Sequence, residues 1–311
     1  MKETICRELI KNGYSEEKGV RVWDIARRAF RFVNLDMAKA FLKVREHPRY
    51  KATIMDIETN LLKENIPKFF KNFIDQRFNL INLSCVDGTK SKLILGLLPE
   101  NLKLRYCPVS VSEYLVKLSL ENVKKSNFTN VIDYAPRVSD DFWNLDQTGA
   151  ALRNNSYQRN VLLLLGSFLS SFDINDYLFR LNQSMLPGDV LIIGNGIRKG
   201  DRFVNLETYK HPMFNNWLIH LIRQLRFKDE EVEYNARFAH NRLEMYYKIK
   251  EDKKIISEGR KIEFRNGDEI IVAFQYKLYA QELRDFCDMY FDNVQLFHDP
   301  AEEYAIVFSM K

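Results

Sequence analysis

The sequence is poor in cysteine and histidine, and neither residue type is clustered. The four cysteines stand far apart: Cys6, Cys85, Cys107 and Cys287. No Cys-x-x-Cys pair is present, which argues against a disulfide framework and against a zinc site. The five histidines also lack the spacing of metal ligands. We therefore expect no metal centre.

Long apolar runs are missing as well. Apolar residues come in short pieces such as residues 161–165, whereas a membrane-spanning helix requires roughly 18 in succession. Residues 1–19 are polar with a helical pattern and contain no apolar core of a signal peptide. These absences predict a cytoplasmic protein without a membrane partner.

The chain also lacks a strong charge of either sign. It has 47 basic and 42 acidic residues, a net charge of +5 over 311 residues. So mild an excess does not by itself indicate nucleic acid, and short basic pairs such as residues 124–125 are interpreted as solvated surface. We do not expect a nucleic-acid partner.

The first part of the chain is predicted to be mostly helical. Apolar residues between positions 20 and 30 recur at approximately helical spacing, and a second helical stretch covers residues 57–73, with Pro67 predicted to break it. We interpret the aromatic residues in this part as core packing and treat residues 1–75 as a helical N-terminal region.

From residue 78 onwards, short apolar runs alternate with helical stretches. Five strands are predicted over residues 78–83, 104–111, 130–134, 161–165 and 190–193. Helices are predicted over residues 91–98, 113–125 and 173–185, the second of them capped by Ser112. Strands alternating with helices indicate crossover connections and a mostly parallel sheet. Such sheets bind ligands at the carboxyl ends of their strands.

The second half of the chain has a different pattern. A helix over residues 214–225 precedes four strand candidates, 232–238, 243–249, 261–264 and 270–276, which suggest a more antiparallel subdomain. An Asn-Gly turn signal at residues 266–267 separates the last two. A helix over 280–290 and a strand over 304–309 follow. We therefore predict an α/β core over residues 76–195 and 280–311, and an inserted α+β subdomain over residues 196–279.

Several segments occur in an order and spacing found in one family of enzymes. Residues 186–194 read Leu-Pro-Gly-Asp-Val-Leu-Ile-Ile-Gly, and residues 242–245 read Arg-Leu-Glu-Met. The other matching segments are residues 82–98, 108–112, 132–134, 165–171 and 297–305. Together they resemble the histidine-specific, S-adenosylmethionine-dependent methyltransferases of ergothioneine biosynthesis. The resemblance implies a class I methyltransferase with a Rossmann-like core, as a divergent member.

The resemblance also implies a set of residues that contact S-adenosylmethionine. The family's Gly-Ser-Gly loop falls on Ser84, Cys85 and Val86, and Lys90 stands in the helix that follows. Ser110 replaces the acidic residue that accepts hydrogen bonds from the ribose, and it carries no charge. The carboxylate of Asp133 and the ring of Tyr134 are expected at the adenine end. We also weigh Cys85 as a small hydrophobic residue and Lys90 as a surface residue.

Five further positions correspond to substrate contacts of the family: Tyr50, Ser171, Tyr209, Ala273 and Gln275. Ala273 and Gln275 stand where the family reads the imidazole ring with Glu and Ser. An alanine side chain cannot accept a hydrogen bond from a ring N–H, so recognition of histidine in that way is not expected. For Tyr50 and Tyr209 packing is the alternative role, and for Ser171 a place in a loop.

Two hypotheses about function follow. The first is an active methyltransferase that acts on a small amino acid or amine other than histidine; methyl transfer needs mainly proximity and orientation, so no catalytic residue is assigned. The second is a non-catalytic relative that keeps the fold as a binding or regulatory module for a protein partner. An RNA-associated methyltransferase is a third and weaker interpretation, because no motif of stacking aromatics supports it.

The substitution Ser110→Asp tests whether the predicted cofactor pocket is used. If it is, a carboxylate at this position should strengthen binding of S-adenosylmethionine, since it restores a charged acceptor for ribose hydroxyls. Calorimetric titration measures the change. An unchanged affinity would argue that this ligand does not occupy the predicted pocket.

Overall fold

The computed structural model describes residues 2–26, 30–32, 34–71, 73, 77–83, 85–139, 147–200 and 205–311. Among them are these helices: α1 (Lys2–Asn12), α2 (Leu35–Glu46), α3 (Pro48–Tyr50), α4 (Asp56–Phe70), α5 (Thr89–Leu97), α6 (Glu113–Lys124), α7 (Thr148–Leu152), α8 (Ile174–Ser184), α9 (Leu206–Tyr209), α10 (Pro212–Gln224) and α11 (Ala280–Asp288). A π-helical turn, Lys51–Met55, joins α3 to α4.

The strands are β1 (Tyr14–Glu17), β2 (Val20–Asp24), β3 (Arg77–Leu83), β4 (Lys103–Ser110), β5 (Val131–Tyr134), β6 (Arg137–Val138), β7 (Arg159–Leu164), β8 (Val190–Gly196), β9 (Val232–Ala239), β10 (Arg242–Ile249), β11 (Lys253–Ser257), β12 (Arg260–Phe264), β13 (Glu269–Tyr276), β14 (Asp292–His298) and β15 (Tyr304–Met310). The chain forms two compact units, one of residues 48–204 and 277–311 and one of residues 1–47 and 205–276.

The larger unit, residues 48–204 and 277–311, is built on an eight-stranded sheet. Its strand order is β14-β15-β8-β7-β3-β4-β5, and β6 pairs beside the end of β4. The strands from β8 to β5 run parallel, whereas β15 and β14 are antiparallel to their neighbours. This is the mostly parallel, Rossmann-like α/β sheet that the sequence predicts, and all five predicted core strands are confirmed.

The central strands are apolar along almost their whole length because helices cover both faces of a parallel sheet. In β3 every residue after Arg77 is buried, and in β8 all seven residues are buried. Helix α4 packs against α5 and β15. The first turn of α4 therefore lies near the ends of several strands.

Local details of this unit differ from the prediction in two places. Pro67 does not break the helix: α4 continues to Phe70, because the ring removes only one hydrogen bond near the end of a 15-residue helix. Ser112 precedes α6, but its side chain makes no capping bond; its N–H donates to the Ser110 hydroxyl instead.

The smaller unit, residues 1–47 and 205–276, contains a five-stranded sheet in the order β1-β2-β13-β10-β9 and the hairpin β11-β12. The mostly antiparallel strand pairing predicted for the second half is confirmed. Among the described strands of this unit, β2 and β13 are the pair that runs parallel. The predicted helical stripe near residue 20 is wrong, because Val20–Asp24 is a strand. Its five residues complete a hairpin with β1, and pairing with β13 overrides the approximate helical period.

The segment that reads Arg-Leu-Glu-Met has a structural explanation inside the smaller unit. Glu244 on β10 is fully buried and accepts hydrogen bonds from Arg237 at 2.7 Å and from Arg242 at 2.6 Å. Two guanidinium groups compensate the buried carboxylate, as a charge in the interior requires. This acidic residue therefore stabilises the sheet.

Within the ranges that the structure describes, no helix is long and apolar enough to cross a bilayer.

The division of the chain into a helical N-terminal region, a core and a substrate-side subdomain stays a prediction.

Gly88, before α5, should be the less replaceable of two glycines near this helix. Its φ is +79°, and a Cβ there would lie 2.9 Å from the Ser119 carbonyl oxygen. We expect Gly88→Ala to lower the free energy of unfolding by about 1–3 kcal/mol. The control is Gly96→Ala in the same helix, where the nearest atom, on the Phe128 ring, is 3.6 Å away; it should be neutral or stabilise by about 0.5–1 kcal/mol. Urea unfolding compares the two, and equal stabilities would contradict the packing argument.

Candidate functional site

Strand order reverses between β3 and β7, at the centre of the large sheet. After β3 the chain passes through α5 to β4 on one side, and it later returns to β7 on the other side. In such sheets the crevice outside the carboxyl ends of these two strands is the usual place for a ligand. The groups at these ends therefore define the candidate site.

The carboxylate of Glu58 lies at this position. Glu58 belongs to the first turn of α4 and its side chain is 0% exposed. Its Oε1 accepts the N–H of Gly166, directly after β7, at 2.8 Å, and the hydroxyl of Tyr304 on β15 at 2.7 Å. Its Oε2 forms a close ion pair with the ammonium of Lys90. Four parts of the chain thus meet at one carboxylate.

Two glycines of β8 leave room for this cluster. A Cβ on Gly194 would collide with Oε1 of Glu58, and a Cβ on Gly196 would lie 2.6 Å from Nζ of Lys277. Between them, the Ser167 hydroxyl accepts the N–H of Gly196 at 2.8 Å, while the Ser167 N–H donates to the Gly194 carbonyl. The glycines therefore serve close approach of side chains to the strand end.

Burial changes the proton affinity of two side chains at these strand ends, those of Lys277 and Tyr304. It lowers the pKa of Lys277 to about 7, because the charged ammonium is disfavoured in a site that is 2% exposed. Burial, together with the negative charge of Glu58, raises the pKa of the Tyr304 hydroxyl well above its ordinary value. Tyr304 is therefore a hydrogen-bond donor at neutral pH.

Of the residues predicted to bind the cofactor, Lys90 is the one in this cluster. Ser84 lies outside the described residues. Cys85 is 1% exposed, with its Sγ 4.0 Å from the Leu115 carbonyl, and burial raises the pKa of its thiol. The Cys85 side chain is therefore packed in the interior as a small hydrophobic residue. Val86 is half-buried in the same loop.

The structure does not bring Ser110 and Asp133 together. Ser110 ends β4, and its hydroxyl accepts the Ser112 N–H at 3.2 Å. Asp133 pairs in register with Arg105, five positions earlier on β4, which corresponds to roughly 16 Å along the strand. Tyr134, next to it, lies under the ammonium of Lys124. The strand beside Ser110 is β6, and the acidic residues that follow it in the sequence, 140 and 141, lie outside the described residues.

The predicted substrate residues fall into two groups. Within the smaller unit, the Tyr209 hydroxyl donates to Oε1 of Gln275 at 3.2 Å, and the Tyr209 ring stacks on Phe214. Ala273 is fully buried on the same strand as Gln275. Within the larger unit, Ser171 is buried in a 3-10 turn after β7, and Tyr50 is buried at the end of α3.

Comparison with known proteins identifies the class. The family model described as histidine-specific methyltransferase, SAM-dependent, matches residues 38–311. The chain belongs to this family, which confirms the class I, Rossmann-like methyltransferase fold expected from the sequence. No curated protein matches the chain.

Solved structures of methyltransferases are similar in fold. The CurJ carbon methyltransferase is 11% identical, with a TM-score of 0.49, over 89% of this chain and 59% of that one. A SAM dependent methyltransferase from Aquifex aeolicus is 12% identical, with a TM-score of 0.39, over 89% of this chain and 99% of that one. The chain thus spans little more than half the length of the CurJ enzyme.

The cluster fits the amino-acid end of S-adenosylmethionine. Lys90 offers a cation and Gly166 a backbone N–H, the donors that a carboxylate needs, and Gly194 allows close approach. The fit at the adenosine end is poorer among the described residues, because Ser110 uses its hydroxyl locally and Asp133 lies elsewhere on the sheet.

Sequence reasoning missed Glu58, Tyr304 and Lys277. The pattern did hold a signal for Glu58, because it stands at helical spacing from Leu61 and Leu62 on the buried face of α4. Lys277 directly follows the predicted strand that carries Ala273 and Gln275. Its position after an apolar strand was the signal that could have marked it as buried.

Lys277 should make stability depend on pH. Its pKa is about 7 when folded and about 10.4 in the unfolded chain, so between these values the unfolded chain binds the extra proton and stability rises with pH. The cost of the buried charge is fully present below pH 7. We expect Lys277→Met to stabilise more near pH 6.5 than near pH 9, by about 2 kcal/mol in urea unfolding.

The same substitution at exposed Lys248 is the control for replacement by methionine. A gain from Lys277→Met that is equal at both pH values would show that Lys277 keeps its charge when folded.

Proposed function

We propose that the protein is an S-adenosylmethionine-dependent methyltransferase whose acceptor is a small amino acid or amine other than histidine. The observation that carries the proposal is the cluster of Lys90, Gly166 and Glu58 at the point where strand order reverses. Membership of the methyltransferase family supports the choice of cofactor.

Lys90 and the Gly166 N–H would hold the carboxylate of the cofactor. Both donors lie at the carboxyl ends of adjacent strands, β3 and β7, and Gly194 on β8 removes a side chain from the same place. When bound, S-adenosylmethionine supplies an electrophilic methyl group on its sulfonium sulfur. The protein's part is to orient that group and the acceptor, which accounts for most of the rate in such transfers.

The positions that read imidazole in the family support a different acceptor. The methyl group of Ala273 offers no hydrogen-bond acceptor, and Gln275 already accepts the Tyr209 hydroxyl. Within the smaller unit, Tyr209 and Gln275 therefore stay the candidates for acceptor contact that the family resemblance assigns.

An amine acceptor must lose a proton before or during attack on the methyl group. Burial lowers the pKa of Lys277 to about 7, and its Nζ would lie 2.6 Å from a Cβ on Gly196 at the end of β8. Lys277 is therefore the group near these strand ends that we propose as the acceptor of that proton.

Binding of S-adenosylhomocysteine and methyl transfer from labelled S-adenosylmethionine to a panel of amino acids and amines test the proposal together. We expect micromolar binding, label in an acceptor other than histidine, and at least about tenfold weaker binding in Lys90→Met, which loses a charge-assisted hydrogen bond. Lys92→Met, exposed on the same helix, should bind as the wild type does.

Circular dichroism would establish that Lys90→Met is folded. Absence of binding by a folded wild-type protein would overturn the proposal and favour the non-catalytic interpretation. Binding with transfer to histidine would overturn the choice of acceptor alone.

A further inference from the structure

The Glu58 carboxylate occupies the donors that the proposed function assigns to a ligand. Its two oxygens take the Lys90 ammonium and the Gly166 N–H, together with the Tyr304 hydroxyl. These donors suit any carboxylate that enters the crevice between the ends of β3 and β7. One protein side chain and one ligand group therefore need the same place.

We propose that Glu58 is an internal competitor for the carboxylate of the cofactor's amino-acid end, so that binding requires this carboxylate to displace Glu58 from Lys90 and Gly166. The inference rests on the proposed function and adds to it a self-inhibitory contact. It also assigns the chemical class that this subsite takes, an α-amino-acid carboxylate.

The exposure of the ion pair indicates how exchange takes place. The Glu58 side chain is 0% exposed, whereas 17% of the Lys90 side chain is exposed. A ligand arriving from solvent therefore meets Lys90 first and competes for its ammonium. Glu58 lies behind this cation and leaves only when its other partners release it.

The backbone before Glu58 provides a place for that movement. The π-helical turn Lys51–Met55 ends directly before α4, three residues before Glu58. Such turns are rare and are found mostly at functional sites. A change of this turn rotates the residues after it and withdraws the side chain from the strand ends.

Removing the charge of Glu58 tests whether its carboxylate competes with a ligand carboxylate. In Glu58→Gln the Lys90 ammonium loses the negative charge of Glu58, and a ligand carboxylate can supply one. The apparent affinity of a ligand is proportional to the fraction of protein in which Glu58 has left these donors, so removing the competitor raises it. The effect should be confined to ligands that carry a carboxylate.

Calorimetry with two ligands tests the proposal. S-adenosylhomocysteine has the α-amino-acid end, and 5′-methylthioadenosine has the same adenosine and thioether without it. We expect Glu58→Gln to bind S-adenosylhomocysteine about tenfold more tightly than the wild type, with no change for 5′-methylthioadenosine. The matched control is Glu64→Gln, an exposed acid on the same helix, which should change neither affinity.

Each outcome decides the question. An affinity of Glu58→Gln for S-adenosylhomocysteine that is equal to or lower than that of the wild type overturns the competition, while binding of both ligands leaves the proposed function intact. No binding of either ligand to the wild type or to the variant overturns both.

A second variant covers the case in which Glu58→Gln does not fold. Tyr304→Phe keeps both charges and removes one hydrogen bond that holds Glu58 in place. It should raise the affinity for S-adenosylhomocysteine a few-fold and leave 5′-methylthioadenosine unchanged. An unchanged ratio of the two affinities would contradict the proposal.

Discussion

A carboxylate buried out of contact with water needs hydrogen-bond donors and a compensating cation, and in this protein one such group organises the end of the central sheet. Glu58 reaches from α4 to Lys90 on α5, to the backbone after β7 and to Tyr304 on β15. A glycine on β8 makes the space that it fills. The relative positions of these elements are therefore coupled through a single side chain.

The conformation of the loop after β3 is determined by the side chains packed beneath it. Ser91 at the start of α5 accepts hydrogen bonds from Asn82 and Tyr106, and Tyr106 also contacts the hydroxyl of Ser119 on α6. Gly88 is held against the backbone of the same residue, Ser119. This network explains why the loop tolerates residues other than glycine at positions 85 and 86: the described part of the loop is held by the helices beneath it.

The two compact units each contain a polar arrangement of their own. Within the larger unit, Glu58 pairs with Lys90 and accepts the Gly166 N–H, and within the smaller unit the Tyr209 hydroxyl donates to Gln275. In the smaller unit the buried Glu244 has two arginine partners, so the family segment over residues 242–245 has a structural role there. Family membership is established over residues 38–311.

What the sequence determined by itself is the alternation of buried strands and helices. The runs that became β3, β4, β5, β7 and β8 were recognisable because burial on both faces of a parallel sheet leaves an uninterrupted apolar stretch. Order and spacing of short segments were also enough to recognise the family. Strands such as β1, β2 and β6 escaped prediction because they are short. β1 pairs with the adjacent β2, whereas β2 and β6 also depend on pairing with β13 and β4, elsewhere in the chain.

Only the tertiary structure decided which polar residues meet. Asp133 lies beside Arg105 because of the register between β4 and β5, which shifts at Leu104 and Arg105, and no local pattern encodes that shift. Glu58 lies on the buried face of α4, but the meeting of its carboxylate with Lys90 and Tyr304 follows from the packing of α4 against α5 and β15. Periodicity is a property of neighbouring residues, whereas register and the burial of a charge depend on contacts between residues that are far apart in the chain.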